Sequence, residues 1–289
     1  MELLKQLIPI LLTISLGLVV ISVGMASVRD DLLSVLERPR ALARATLAVI
    51  IIPPITALII TTLFEMPHAA EAALLLMAIS PVPPLVPGKE LHVGARRNYV
   101  YGLYVAMALL SVVTVPLLGA LVGALYDNTA EFPPGIVAKN VFVGVIIPLA
   151  IGLIIGRWLA PAFAKRVAPM VGNIGMGLVV LAFIPVLVGS WHDMLSLIRD
   201  GTVVAVILFT IVAIAGGELL GDPKERGRRT LAVAAAMRHP GIALALASAN
   251  HADKTVSAAV LLILLVAMIT LIPYQILVKR RRTPSKSTA

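Results

Sequence analysis

Met237-Arg238-His239-Pro240-Gly241 breaks a run of alanine, leucine and valine that otherwise extends over residues 230–250. This pentapeptide puts a fixed charge, an imidazole, a helix breaker and a residue without a side chain in the middle of an apolar stretch. A second break stands upstream, at Ser80-Pro81-Val82-Pro83-Pro84-Leu85-Val86-Pro87-Gly88, where four prolines fall within seven residues. Proline lacks a backbone donor and clashes with the turn before it, so neither stretch continues as a regular helix. In lipid, unwound backbone survives only where it is buried in protein or lines a cavity. The fold therefore turns on whether the surroundings are lipid and on how the two breaks are placed.

Composition answers the first question. Of the 289 residues, 59% are hydrophobic and 13% charged, with a mean hydropathy of +0.99, whereas a soluble domain carries about 25% charged residues. A water-soluble globule is excluded. Aromatics make up 4%, too few for a base-stacking platform, which argues against a nucleic-acid partner despite the net charge of +9. The absence of cysteine removes disulfides, thiolate metal sites, cysteine nucleophiles and redox relays together. A span takes about 20 apolar residues, so residues 1–289 read as one all-α, polytopic membrane domain.

Long apolar runs bounded by charge or turn residues fall at 7–28, 42–64, 69–86, 99–125, 136–156, 170–190, 202–220, 230–250 and 255–278, which predicts about nine spans. The first run is long for a signal peptide and has only Lys5 before it, so it reads as a retained span. Of the 24 lysines and arginines, nineteen lie in the connections after spans 1, 3, 5 and 7 and in the tail, residues 280–289. The opposite side holds Lys5, Lys139, Arg199 and Lys254, and Arg238 lies inside a span. Basic short loops stay cytoplasmic. The expectation is a plasma-membrane protein with its N-terminus outside, its C-terminus cytoplasmic, and a basic fringe against anionic lipid.

The two breaks lie in spans 3 and 8, five spans apart, so the interrupted segments run antiparallel. Paired breaks in matching positions of two inverted halves point to a transporter binding site at the midplane. The bland alternative is that span 3 ends at Pro81 in a proline-rich loop while Arg238 snorkels or pairs with a neighbour. An arginine at a helix centre costs about 2.5 kcal/mol or more and is usually kept for function. Pro53, Pro54, Pro116, Pro148, Pro185 and Pro273, taken singly, read as kinks.

Glu71-Ala72-Ala73-Leu74-Leu75-Leu76-Met77-Ala78-Ile79-Ser80-Pro81, with Ser111-Val112-Val113-Thr114-Val115-Pro116-Leu117-Leu118 after it, resembles the first crossover region of the bile acid:sodium symporter family. Pro240-Gly241-Ile242-Ala243-Leu244-Ala245-Leu246-Ala247 is similar to the second crossover helix. Gly24-Met25 and the stretch closing on Arg38-Pro39-Arg40 add to the likeness. The resemblance implies panel and core domains, two discontinuous helices crossing in the core, and alternating-access transport of organic anions. It further implies two inverted repeats, here of four spans (residues 1–126) and five (134–279), the first helix of the usual ten being missing. The family's arsenite-exporting relatives use a cysteine, and this chain has none.

The chain departs from that pattern where the family holds sodium. The first-crossover turn and the Ser and Asn beyond it are replaced by Pro81-Val82-Pro83-Pro84-Leu85-Val86-Pro87, and the second-crossover Glu, Gln and Asn positions become Ala234, Arg238 and His239. A hard cation needs a cage of oxygen ligands, so coupling through the family's sodium sites is not expected and no metal or other cofactor is assigned. Arg238 instead offers a fixed charge to the crossing half-helices and fork donors to an anion. His239 is either a group that changes charge near neutral pH, suited to proton coupling, or an imidazole bonded to freed backbone. The expected substrate site comprises Arg238, His239, Pro240, Pro83, Pro84, Pro87, Gly88 and Lys89, with Glu90 and His92 as an entrance or a solvated loop. Glu218 reads as interfacial or paired with Arg228 or Arg229, and His68 with Glu71 as a solvated helix start.

The expected function is a secondary or facilitative transporter for a small or amphipathic organic anion. A sodium-dependent symporter using other ligands and a non-transporting sensor or assembly partner are the alternatives. No HExxH, nucleophile motif or paired intramembrane carboxylate favours an enzyme.

Overall fold

A computed structural model describes the chain except residues 1, 28–30, 32–34, 36, 85–96, 126–133, 199–200, 223–226, 250–252 and 281–289. Among the described residues every regular element is helical. Lipid offers the backbone no partners, so it bonds to itself. Hydroxyls inside the helices follow the same rule: Ser22 donates to the Val19 carbonyl and Thr210 to that of Val206, each one turn back.

The helices, in chain order, are α1 (Glu2–Ala26), α2 (Pro39–Thr46), α3 (Ile52–Leu63), α4 (His68–Ile79), α5 (Arg97–Leu125), α6 (Pro134–Val141) and α7 (Ile147–Ile154). There follow α8 (Pro161–Gly189), α9 (Trp191–Ser196), α10 (Thr202–Leu220), α11 (Gly227–Ala236), α12 (Pro240–Ala249) and α13 (Lys254–Arg280). One π turn, Leu47–Ile51, joins α2 to α3, a second, Phe142–Ile146, joins α6 to α7, and a third, Ile155–Leu159, follows α7. Among the described residues seven helical stretches are long and apolar enough to cross a membrane, and Ile10–Ala26 and His68–Ile79 are shorter apolar helices.

The prolines sort into two kinds. Pro116, Pro169, Pro185 and Pro273 sit inside helices that continue through them. Pro53 and Pro148 each follow a π turn, where the chain shifts to bonds one residue longer just before the missing donor. The sixth span starts earlier than its apolar run: α8 begins at Pro161 and carries Lys165 and Arg166 in its first two turns. Proline suits the first turn of a helix, and long basic side chains extend from a helix end toward water.

Two groups of helices pack internally. In the first, α1 lies against α7 and α8. In the second, α3, α4, α5, α10, α11, α12 and α13 share one buried cluster that includes Leu74, Met77, Phe209, Leu231 and Leu261. Helix α6 bridges them, packing on α5 and α12. The most buried span is Gly227–Ser248, of which 83% is enclosed, against 17% for Pro161–Gly189. The interrupted span is therefore the axle of the second group.

Candidate functional site

Helix α4 stops at Ile79 because Ser80 is extended (φ −68°, ψ 150°), the conformation that the residue before a proline prefers. Residues 81–84 are non-helical and buried. Helix α11 stops at Ala236 for want of a donor at Pro240, and α12 restarts at that proline, leaving Met237, Arg238 and His239 unwound. The two breaks meet: the His239 N–H donates to the Pro81 carbonyl at 3.0 Å and to Ser80 Oγ at 3.1 Å. Ser80 Oγ passes its own proton to the Met77 carbonyl at 2.8 Å.

Arg238 is 4% exposed, and its guanidinium closes the crossing. Nε donates to the Met77 carbonyl at 3.2 Å, Nη2 to that of Ala78, and Nη1 to the Val49 carbonyl at 2.8 Å. Prolines explain why two of these acceptors are open. In an α-helix the Val49 carbonyl would receive the N–H of residue 53 and the Met77 carbonyl that of residue 81; both residues are prolines. Met77 and Ala78 also belong to the last turn of α4, the negative end of its dipole, where a cation is favoured. Among the described residues no carboxylate pairs with Arg238. Its charge is balanced by carbonyl dipoles from two spans, the kind of oxygen cage in which a bound cation would sit.

His239 is 2% exposed and caps α12. Its Nδ1 accepts the Ile242 N–H at 3.3 Å, three residues on, with Pro240 at the first helical position. A ring accepting at Nδ1 is neutral and carries its proton on Nε2. Buried Nε2 has no hydrogen-bond partner among the described residues. Beside Gly241, an added Cβ would meet Leu16 Cδ1 of α1 at 2.7 Å and His239 Cε1 at 3.2 Å, and Cδ1 of Ile242 lies 3.3 Å from a Cβ built on Gly144. The start of α12 thus sits where the second group of helices touches the first.

A cleft of about 260 Å³ opens beside the crossing, lined by the Leu47–Ile51 turn, the end of α4, residues 81–82, α5 and Arg238. Its polar lining consists of Arg238, Ser80, Ser111 and Thr114. Ser80 and Ser111 donate to backbone carbonyls of their own helices, so they turn oxygen lone pairs to the cleft.

Of the residues expected in the site, Arg238, His239 and Pro240 lie at the crossing, and Pro83 and Pro84 are buried just past it. Pro87, Gly88 and Lys89, with Glu90 and His92, lie outside the described residues. The structure adds the carbonyls of Val49, Met77 and Ala78 and the hydroxyl of Ser80, whose signal was a proline four residues downstream of two of them. Glu218 receives the Tyr274 hydroxyl rather than an arginine. His68 Nδ1 lies 3.1 Å from Glu71 Oε2 on the exposed first turn of α4, the solvated helix start expected. Among the described residues no group of three His, Asp or Glu side chains is placed to hold a metal ion.

No curated protein matches the chain. A sequence profile described as the sodium bile acid symporter family matches residues 13–197, taking in the first break and ending before the second. That stretch covers more than half of the chain and most of its first group of helices, and the chain belongs to the sodium bile acid symporter family, a family of membrane transporters.

Proposed function

We propose that the chain moves a small or amphipathic organic anion by alternating access, and that Arg238 stands permanently where relatives of this family bind a mobile cation. The observation that carries this reading is the guanidinium held by carbonyls of two different spans at the meeting of both breaks. A tethered cation does not dissociate, so the crossing stays neutralised in every state and sodium has no oxygen cage left to enter there. The Nε and Nη2 edge is spent on Met77 and Ala78, which leaves two of the five guanidinium protons for other partners. Substrate therefore meets Arg238 as a field and a single contact, not as a fork.

The moving parts in this reading are the two helix groups, panel and core, arranged as inverted repeats of four and five spans with the N-terminus outside and the C-terminus cytoplasmic. The contact of α12 with α1 and with the Phe142–Ile146 turn is the interface that opens and closes. His239 supports movement down the substrate gradient: protonation of Nδ1 would remove the cap of α12.

Uptake into proteoliposomes tests the proposal with a panel of labelled organic anions. The expected result is flux that is equal in sodium and in choline and is lost in Arg238→Ala. Flux that requires sodium and survives Arg238→Ala would overturn it. A thiol-reducible cross-link between Gly144→Cys and Ile242→Cys, introduced into a chain free of other cysteines, should stop uptake, and reduction should restore it. Unimpeded flux in the cross-linked protein would show that this interface does not move.

A further inference from the structure

The cleft beside Arg238 is not at the seam between the two helix groups. Its walls come from the second span, α4 and α5, all within one group. Its opening can be located from burial. Val49, Ser80, Ser111, Val115 and Arg238 are buried, whereas Thr114 and Leu118 of α5 are half-exposed. The mouth is therefore at Thr114 and Leu118.

What lies outside that mouth follows from depth. Thr114 is eleven residues from one end of α5 and seventeen from the other, about 17 and 25 Å at 1.5 Å per residue. That is hydrocarbon depth in a bilayer about 30 Å thick. Both helices beside the mouth present apolar stripes to the surroundings. Leu109, Val113 and Leu117 are 48%, 67% and 65% exposed on α5, and Ile55 and Ile59 of α3 are 51% and 52% exposed. The second span packs on α5 through its first segment, α2, so the gap between α3 and α5 faces lipid. A buried guanidinium with no carboxylate partner among the described residues thus looks out sideways into the bilayer through an apolar passage.

We infer that this cleft takes, from the bilayer and not from water, the carboxylate end of a single-chain amphiphile of the long-chain fatty-acid type. The carboxylate meets the remaining Arg238 protons and the Thr114 hydroxyl, and the chain leaves past Leu118 into the hydrocarbon. Charge complementarity selects the head, since a carboxylate in low dielectric needs a fixed cation. Size selects one chain: about 260 Å³ is smaller than the sites of drug-sized ligands, which start near 300 Å³, so only a head and a short stem are enclosed. This site is separate from the transport reading and stands or falls without it.

The test uses the full chain in lipid nanodiscs and a long-chain fatty acid bearing a photoreactive group near its carboxylate, with labelled peptides mapped by mass spectrometry. The inference predicts labelling concentrated on residues 107–118 and 49–50, displaced by unlabelled fatty acid of the same length. Its methyl ester and octanoate should displace about tenfold less well, the ratio expected for losing a charge-assisted contact or the lipid-borne chain. Thr114→Phe, which plugs the mouth at a half-exposed position without touching the crossing, should lower labelling by a similar factor. Labelling spread evenly over lipid-facing α5 and α8, or equal competition by the methyl ester, would overturn the site. Equal competition by octanoate would overturn its lipid source.

Discussion

The two helix groups are held by opposite means. Where α1 meets α7, two glycines bring backbones into contact: a Cβ on Gly24 would lie 2.6 Å from the Leu149 carbonyl oxygen and 2.9 Å from the Gly152 Cα. On Gly152 a Cβ would collide with the Ile21 carbonyl, and Gly175 of α8 meets Val19 and Ser15 in the same way. No side-chain hydrogen bond crosses this seam among the described residues; Ser15 and Ser22 turn their protons to their own helix. At the crossing, by contrast, three carbonyls and a guanidinium carry the contact. Between lipid-embedded helices burial of apolar surface gives little net drive, so close packing and polar bonds are the two remaining sources of cohesion. The first group uses one and the second the other. A seam of glycines registers volume and ignores charge; the crossing does the reverse.

Substitutions should separate the two cases. The largest effect is expected from Arg238→Ala, which leaves three buried carbonyls without a donor at about 1 kcal/mol or more each. Unfolding of the purified protein should show a loss of roughly 3 kcal/mol, the size of several such acceptors together. A change within error would mean that the carbonyls find other partners. Next comes Gly152→Val, a collision with the backbone of α1, at about 1–3 kcal/mol by the cost of overpacking. It should separate α1 from α7 while leaving labelling of the cleft beside Arg238 unaltered. Arg238→Lys keeps the charge but cannot reach three acceptors as a planar fork. It should cost about 1–2 kcal/mol, one or two of the three bonds, and retain sodium-independent flux. The smallest effect is expected from Ser80→Ala, under about 1 kcal/mol, because the His239 N–H keeps its bond to Pro81 at 3.0 Å.

Much of this contrast was legible before any coordinates. Apolar run length gave the spans, and the two proline-marked breaks gave the place where backbone would be free. What the breaks would bond to was less visible, although part of the signal was present. Pro53 and Pro81 read as a kink and a loop start, yet each also frees the carbonyl four residues upstream, and both freed oxygens take Arg238. Sequence shows which donor is missing but not which distant side chain replaces it, because 161 and 189 residues separate the partners. His239 offered a cap signature, with proline directly after it, that periodicity reading passed over in favour of a titrating role. The start of α8 at Pro161 was hidden because Lys165 and Arg166 resemble loop charges when depth in the membrane is unknown. The glycine seam had no polar marker at all; Gly24 and Gly152 differ from the other glycines only through what faces them.

The central claim is that the guanidinium of Arg238 is the cation of the crossing. Its most direct test is the thermal unfolding midpoint of the purified protein in sodium chloride against choline chloride of equal ionic strength. A ligand that binds only the folded state raises stability with its concentration, so a sodium site at the crossing would raise the midpoint progressively. The account predicts one midpoint, unchanged across the sodium titration. A saturable rise with sodium in the wild-type chain would contradict it.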